Sequence, residues 1–368
     1  MTAPESAAAA PAAAPLRRGW TTGACATAAA RSACAALLGQ GFLDPVTIRL
    51  PRGQEASFTL AERHLGAGVA MAAIVKDAGD DPDVTHGCLV RASLRRNPAG
   101  AGITFHAGEG VGTITRAGLQ LPPGEAAINP VPRRMMQDAV SEIAAEAGAP
   151  ADIAITVSIP GGEALAARTL NPRLGILGGL SILGTTGVVV PFSCAAWIHS
   201  IHRGIDVARA AGLDHLGAAT GSTSERTLRE ARGLCELALL DMGDFVGGTL
   251  KYLRRHPVRR LSLAGGFAKL AKLAQGHLDL HSARSRLDHP ALAELAAGAG
   301  AGAELVRSIA QANTGHEMLA HAAAAGYPLG TLVAERARAM ARATLGLEVE
   351  LEVIVVDRAG SIVGRSGP

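Results

Sequence analysis

Aromatic side chains are scarce in this chain, with two Trp, two Tyr and six Phe among 368 residues. Stacking platforms for nucleic-acid bases are therefore a poor expectation. Charge of one sign is lacking too: a formal balance of +3 is too small for a protein built to neutralise a phosphate backbone. Nucleic acid is thus not an expected partner. Cysteine is sparse and scattered. Cys25, Cys34, Cys88, Cys194 and Cys235 form no CxxC pair and no zinc-ligand spacing, a set that fits single buried thiols in a reducing compartment. No apolar run reaches the ~20 residues that span a bilayer, so no membrane partner is expected either. Residues 1–15, MTAPESAAAAPAAAP, lack the basic start and leucine-rich stretch of a secretory signal. They read as a disordered Ala/Pro-rich tail, and the expected location is cytoplasmic.

Hydrophobic residues, by contrast, make up 48% of the chain, enough to fill substantial cores, and the length suits two domains. From Leu16, TTGACATAAARSACAALLG reads as an Ala-rich helix with Thr22 as N-cap and Gly39 just past its end. Alternating runs follow: VTIRLP, ASFTLAER, GVAMAAIVKD, CLVRASLRR and GITFHAG. A second helix opens at INPVPRRMM, with Pro132 in its first turn, and ADIAITVSIPGG returns as a strand. One helix followed by strands predicts an α+β domain with a mixed sheet over 16–170. Over 171–368 the rhythm changes to strand, loop, helix. HLGAATG–STSERTLREARGL, CELALLDMG–DFVGGTLKYLRRH and RRLSLAGG–FAKLAKLAQG are three such units, which predicts an α/β Rossmann-like domain with a parallel sheet. Helices are expected from Ala291 to Leu345, then a terminal hairpin turning at Arg358-Ala359-Gly360.

Open parallel sheets bind ligands at the carboxyl ends of their strands, where helix N-termini offer free N–H groups. Those ends are Thr220-Gly221-Ser222-Thr223-Ser224, Asp241-Met242-Gly243-Asp244, and Gly265. Asp241 follows Gly221 by twenty residues, the place where an acid accepts hydrogen bonds from ribose hydroxyls. The first loop lacks the full GxGxxG, and no GxxxxGK[ST] loop is present, so an adenosine ligand without phosphates, S-adenosylmethionine, fits better than a dinucleotide. Helix capping and ordinary turns are the bland alternative for the same residues.

The stretch VKDAGDDPDVTHG, Val75 to Gly87, packs Asp77, Asp80, Asp81 and Asp83 into seven residues. A metal loop, an acid/base cluster and a capped turn all remain open. The spacing is not that of a calcium loop, and a zinc site would want more His or Cys, so no protein-held metal is expected.

Taken together, LRRGWTTGACATAAA, KDAGDDPDVTHG, GEGVGTITRAGL, INPVPRRMM, GGLSILGTTGVVVPFS, TGSTSER, GDFVGGTLKY and GHLDLHSARSRLD resemble the CbiD family of cobalt-precorrin-5B C1-methyltransferases. The resemblance runs in consistent order from Leu16 to the C-terminus. It implies methyl transfer from S-adenosylmethionine to ring carbon 1 of a cobalt-bearing tetrapyrrole, giving cobalt-precorrin-6A in anaerobic-type cobalamin biosynthesis. Cobalt enters only as part of the substrate. Within the matching motifs, Asp77 and His86 are the expected orienting or proton-handling pair. Thr21, Thr22, Arg133, Arg134, Thr185, Thr186 and Arg284 are the expected substrate contacts, because Arg pairs bidentately with the macrocycle's rim carboxylates. A nucleotide- or NAD-dependent α/β enzyme and a non-catalytic tetrapyrrole carrier are the competing readings. The sequence leaves homo-oligomer formation open.

Overall fold

A computed structural model describes residues 15–368, so the expected Ala/Pro tail lies outside the described residues but for Pro15. The chain forms two units. One takes residues 15–114, 124–171 and 176–193; the other takes 115–123, 172–175 and 194–368.

In the first unit, helix α1 (Thr22–Leu37) is buried along almost its whole length, with Ala24, Ala28, Ala33 and Cys34 fully inaccessible. A helix apolar all round belongs inside, and its small Ala side chains and Gly23 let neighbours approach closely. Its N-cap is Thr21, whose Oγ1 accepts from Ala24 N at 3.1 Å; the sequence expectation of Thr22 is off by one residue, because Thr22 already has helical backbone. Gly39 (φ 89°) follows the helix end as expected. Strands β1 (Glu62–Gly66), β2 (Val69–Val75), β3 (Leu89–Arg96), β4 (Ile103–Ala107) and β5 (Ile153–Ser158) form a sheet in the order β1-β2-β3-β5-β4. All neighbours are antiparallel except β4 and β5, so the sheet is mixed. Helix α2 (Pro130–Glu146) packs on α1, which in turn covers β2 and β3. The Gly-rich 176–193 folds with this unit rather than with the C-terminal half. The reason is strand pairing: Val188–Val189 pair with Gly19–Trp20, and Ile176–Leu177 pair with Thr113–Ile114.

The second unit opens with α3 (Cys194–Ala210) and then runs β6 (His215–Ala219), α4 (Ser222–Arg232), β7 (Leu239–Asp241), α5 (Val246–Arg255), β8 (Arg260–Gly266) and α6 (Phe267–Ala274). Four further helices, α7 (His289–Gly298), α8 (Ala303–Gln311), α9 (Gly315–Ala324) and α10 (Leu329–Leu345), precede β9 (Glu350–Val356) and β10 (Ile362–Ser366). The sheet order is β7-β6-β8-β9-β10, parallel apart from the last pair. Residues alternate between two cores along β8 and β9. Leu263, Val353 and Val355 join the large core built from α3, α5 and α6–α10, whereas Ala264, Ile354 and Val356 pack with Leu228 of α4. Both faces are therefore covered, which accounts for the near-continuous apolar run of β9.

Candidate functional site

In the first unit, the acidic stretch is spent on holding chain segments together. Asp77 binds the Arg17 guanidinium bidentately, and its Oδ1 accepts from Gly79 N at 2.9 Å. Asp80 accepts from Arg17 N at 2.6 Å, and Asp81 from Phe192 N at 2.8 Å. Asp83 takes the buried Lys76 ammonium at 2.6 Å and both Thr85 N and Thr85 Oγ1. Gly79 must be glycine, since at φ 68° a Cβ would lie 2.2 Å from Arg17 O. Each carboxylate thus has a local cation or backbone donor, as in Asx-type turns.

Two electrostatic consequences follow. The Arg17 guanidinium, then Gly79 N–H, hold the Asp77 carboxyl down at about 2. Burial pushes Asp83 upward, but Lys76 and Thr85 outweigh it and its carboxyl lies below the usual range. His86 Nδ1 accepts from Ala78 N at 3.1 Å, which leaves the ring proton on the exposed Nε2. It stands 3.9 Å from Asp77 Oδ1, so the expected pair is adjacent without a direct hydrogen bond.

The expected substrate contacts divide. Thr22 Oγ1 exchanges hydrogen bonds with Leu183 N and O, and Thr186 Oγ1 does the same with Val188. Arg133 is turned inward: it donates to Ile128 O, Ala126 O and Glu125 and lies over the Phe105 ring. Arg134 and Thr185 are exposed. Arg284, in the second unit, is exposed and binds Asp279 at 2.8 Å, with Cys194 Sγ 3.1 Å from its other nitrogen. Sequence reasoning did not single out Phe192. It has a left-handed backbone (φ 55°), 66% exposure, and its N–H on Asp81.

In the second unit, the expected cofactor-side loops meet at one end of the sheet. The order β7-β6-β8 means that the chain leaves β6 toward one edge and continues from β8 toward the other. The switch point lies between β6 and β8, the position where open α/β sheets take ligands. Thr220-Gly221 and Gly265-Gly266 border it. A Cβ on Gly265 would lie 2.9 Å from Thr220 Cγ2, whereas one on Gly221 or Gly266 would meet nothing within 4 Å. Gly221 and Gly266 are the N-caps of α4 and α6 and carry no side-chain cap, so the first-turn N–H groups there are open to a ligand. Ser222 is exposed and Thr223 half-buried, while Ser224 is buried with its hydroxyl on Gly221 O. Lys269, which sequence reasoning missed, ties the loops together: Nζ donates to Thr220 O at 2.8 Å and stands 3.0 Å from Asp244 Oδ1.

Asp241, at the end of β7, is half-buried. Burial, then the neighbouring Glu225 carboxylate, push its carboxyl above the usual range, against the pull of Arg173 and Lys269. Arg173 is held by Glu225 at 2.6 Å and Glu236 at 3.1 Å. Such a carboxylate accepts hydroxyl donors at low desolvation cost. The cavity of about 790 Å³ lined by Asp214, Arg259 and Glu348 lies at the opposite, amino ends of the strands. Among the described residues no group of three or more His, Cys, Asp or Glu is disposed to hold a metal ion, and no helix is long and apolar enough to cross a membrane.

Comparison with known proteins covers both units. The family model described as CbiD matches residues 9–191, and a second, described as CbiD, C-terminal domain, matches residues 279–367. A cobalt-precorrin-5B C(1)-methyltransferase of Paramagnetospirillum magneticum is 61% identical over 350 residues, 95% of this chain and 98% of its own length. One of Brucella anthropi is 60% identical over 351 residues, 95% of each. Among solved structures, a cobalamin biosynthesis protein (cbiD) from Archaeoglobus fulgidus is 27% identical with a TM-score of 0.40, covering 73% of this chain and 83% of that one.

Proposed function

The chain belongs to the CbiD family, and on that premise we propose that it methylates cobalt-precorrin-5B at ring carbon 1 in cobalamin biosynthesis. The observation that carries this reading is identity near 60% over 95% of the chain to relatives that bear that name. We read the methyl donor as S-adenosylmethionine and the second unit, with its 2-1-3-4-5 strand order, as a Rossmann-like donor domain. The first unit is then the tetrapyrrole side. The cytoplasm is its proposed location.

When bound, the donor supplies an electrophilic methyl group on a sulfonium: the S–CH3 bond breaks, a C–C bond forms, and its electron pair returns to sulfur. The protein's task is mostly alignment of the two partners, which can supply a large part of the rate. In this reading Asp241 accepts the ribose hydroxyls, and the open N–H groups after Gly221 and Gly266 hold the polar ends of the nucleoside and its amino-acid tail. Gly265 keeps the loop low enough for close approach, and Lys269 fixes its shape. No carboxylate is assigned to the sulfonium itself. Its charge disperses in the transition state, so an anion there would favour the ground state.

On the tetrapyrrole side, Asp77 is ionised at every physiological pH and serves as an orienting group: it presents Arg17 to a rim carboxylate. His86 offers Nε2–H as a donor. Of the Arg133–Arg134 pair, the exposed Arg134 is the rim contact, and Arg133 fixes the helix start. Thr185 keeps its place as a candidate on exposure alone; Arg284 belongs to the second unit and is paired with Asp279.

Calorimetric titration tests the donor assignment. S-adenosylhomocysteine should bind the full chain, NAD should not, and Asp241→Ala should weaken the first by ~1–3 kcal/mol, the scale of a lost charged hydrogen bond. Binding of NAD in preference to S-adenosylhomocysteine would replace the donor reading with a dinucleotide one.

A further inference from the structure

We infer that Trp197 is the wall against which the donor's adenine ring stacks. The inference rests on the donor-site reading above and adds to it a residue that the strand-end pattern does not reach.

Trp197 lies in the first turn of α3, in the second unit, and is 47% exposed. A half-exposed tryptophan is unremarkable by itself. This one is fixed in place at the candidate site. Its Nε1–H donates to the main-chain oxygen of Asp241 at 3.2 Å. Its ring also sits against Gly243: a Cβ there would lie 3.5 Å from Nε1 and 3.6 Å from two ring carbons. The Phe245 ring backs it at a centroid separation of 6.3 Å, tilted by 48°. The indole is therefore locked to the main chain where β7 ends, at Asp241 and Gly243.

That juxtaposition selects a ligand class. A carboxylate without a side-chain donor suits a diol, and a rigid aromatic held on the same residue's main chain suits a planar π-system attached to it. A nucleoside joins both. Because the indole is already held by a hydrogen bond and a packed edge, little rotamer entropy is lost when a base stacks on it, and base–aromatic stacking tolerates such a wall without specific hydrogen bonds. In a chain with two tryptophans, it is also the one placed at the strand ends; Trp20 packs on Phe58 in the first unit.

The full chain should be titrated with S-adenosylhomocysteine, and separately with adenosine, by calorimetry and by tryptophan fluorescence. Trp197→Ala should raise the Kd for both about tenfold or more, and Trp197→Phe should restore it to within about threefold. The quench on binding should survive Trp20→Phe and vanish in Trp197→Phe. Unchanged affinity in Trp197→Ala, alongside normal binding by the wild type, would overturn this inference and leave the donor site standing. A quench that follows Trp20 would overturn it equally. Failure of the wild type to bind S-adenosylhomocysteine would sink the donor-site reading and this inference with it.

Discussion

Asp77 has a side chain 44% exposed, yet its carboxyl is held at about 2 by Arg17. An aspartate lowered from ~3.9 in the unfolded chain contributes stability fully above pH ~4, and that contribution fades as pH falls toward 2. Asp77→Asn should therefore melt slightly below the wild type at pH 7, with the gap closing by pH 2. Solvent screening keeps the gap small, and added salt should shrink it. A gap of constant size from pH 7 to pH 2.5 would mean that the ion pair is not its source. Phe192 poses the opposite balance. A bulky residue at φ 55° bears left-handed strain of ~1–2 kcal/mol, which glycine avoids at a cost in chain entropy of ~0.5–1 kcal/mol. Phe192→Gly should thus leave stability level or raise it by up to ~1 kcal/mol in urea unfolding, while Phe192→Ala should not. If the exposed ring touches the macrocycle, the glycine variant gains stability while its KM for the tetrapyrrole rises. A clear loss of stability in the glycine variant would show that the ring is packed rather than presented.

At the scale of elements, β9 shows what pattern reading delivers and where it stops. In LEVELEVIVV, Glu348, Glu350 and Glu352 alternate with apolar residues as along a strand with one wet face, and a strand forms over Glu350–Val356. Because helices cover both faces of the sheet, however, Glu352 is 0% exposed. It accepts from Arg232, from Arg365 at 2.8 Å and from Ser262 at 2.7 Å. Burial alone would raise its carboxyl, but these partners prevail and hold it below the usual range. Glu352→Ala removes a fully buried carboxylate from Ser262 and from the part-buried Arg232 and exposed Arg365, and should cost about 1–3 kcal/mol in chemical denaturation. The stabilisation by Glu352 should be present above pH ~4.3 and decline as pH falls through its lowered folded value. Glu352 lies near the amino ends of the strands, so the folded fraction should bind S-adenosylhomocysteine normally; a loss of affinity matching the loss of stability would link the network to the site. Elements with clear local signals, α1 with its Ala-rich body and bounding Thr and Gly, α2, and the three strand–helix units, are legible from sequence. Helix α3 is not among the sequence expectations, although Ile201, Ile205 and Ala208 carry a helical spacing. Its polar insertions and the glycines before it mask that signal. The two-residue pairings at Gly19–Trp20 and Val188–Val189 are too short for any period to register.

At the scale of the whole molecule, the mixed α/β architecture follows from strand and helix order alone, and the strand ends that converge in the second unit are those that the turn residues mark. What cannot be read is which side chains are already spoken for. Arg133 and Arg134 are neighbours of identical chemistry, yet one is consumed by three acceptors and the other faces water. Only the tertiary surroundings distinguish them, just as they turn Asp80 and Asp81 into main-chain acceptors. Trp197 is invisible to motif reasoning for the same reason: its partner is a backbone oxygen forty-four positions away.

The interleaving of the two units bears on how the chain is made. Residues 115–123 and 172–175 belong to the second unit but are flanked by segments of the first. During synthesis they leave the ribosome before any of 194–368, and must wait for the residues that they pack against. Arg173, whose partners Glu225 and Glu236 come later, is made first and neutralised last. No single cut in the gene separates the units, and a fragment begun at Cys194 would leave Glu225 and Glu236 without their shared cation, with Lys269 alone to offset Glu225 at Asp241.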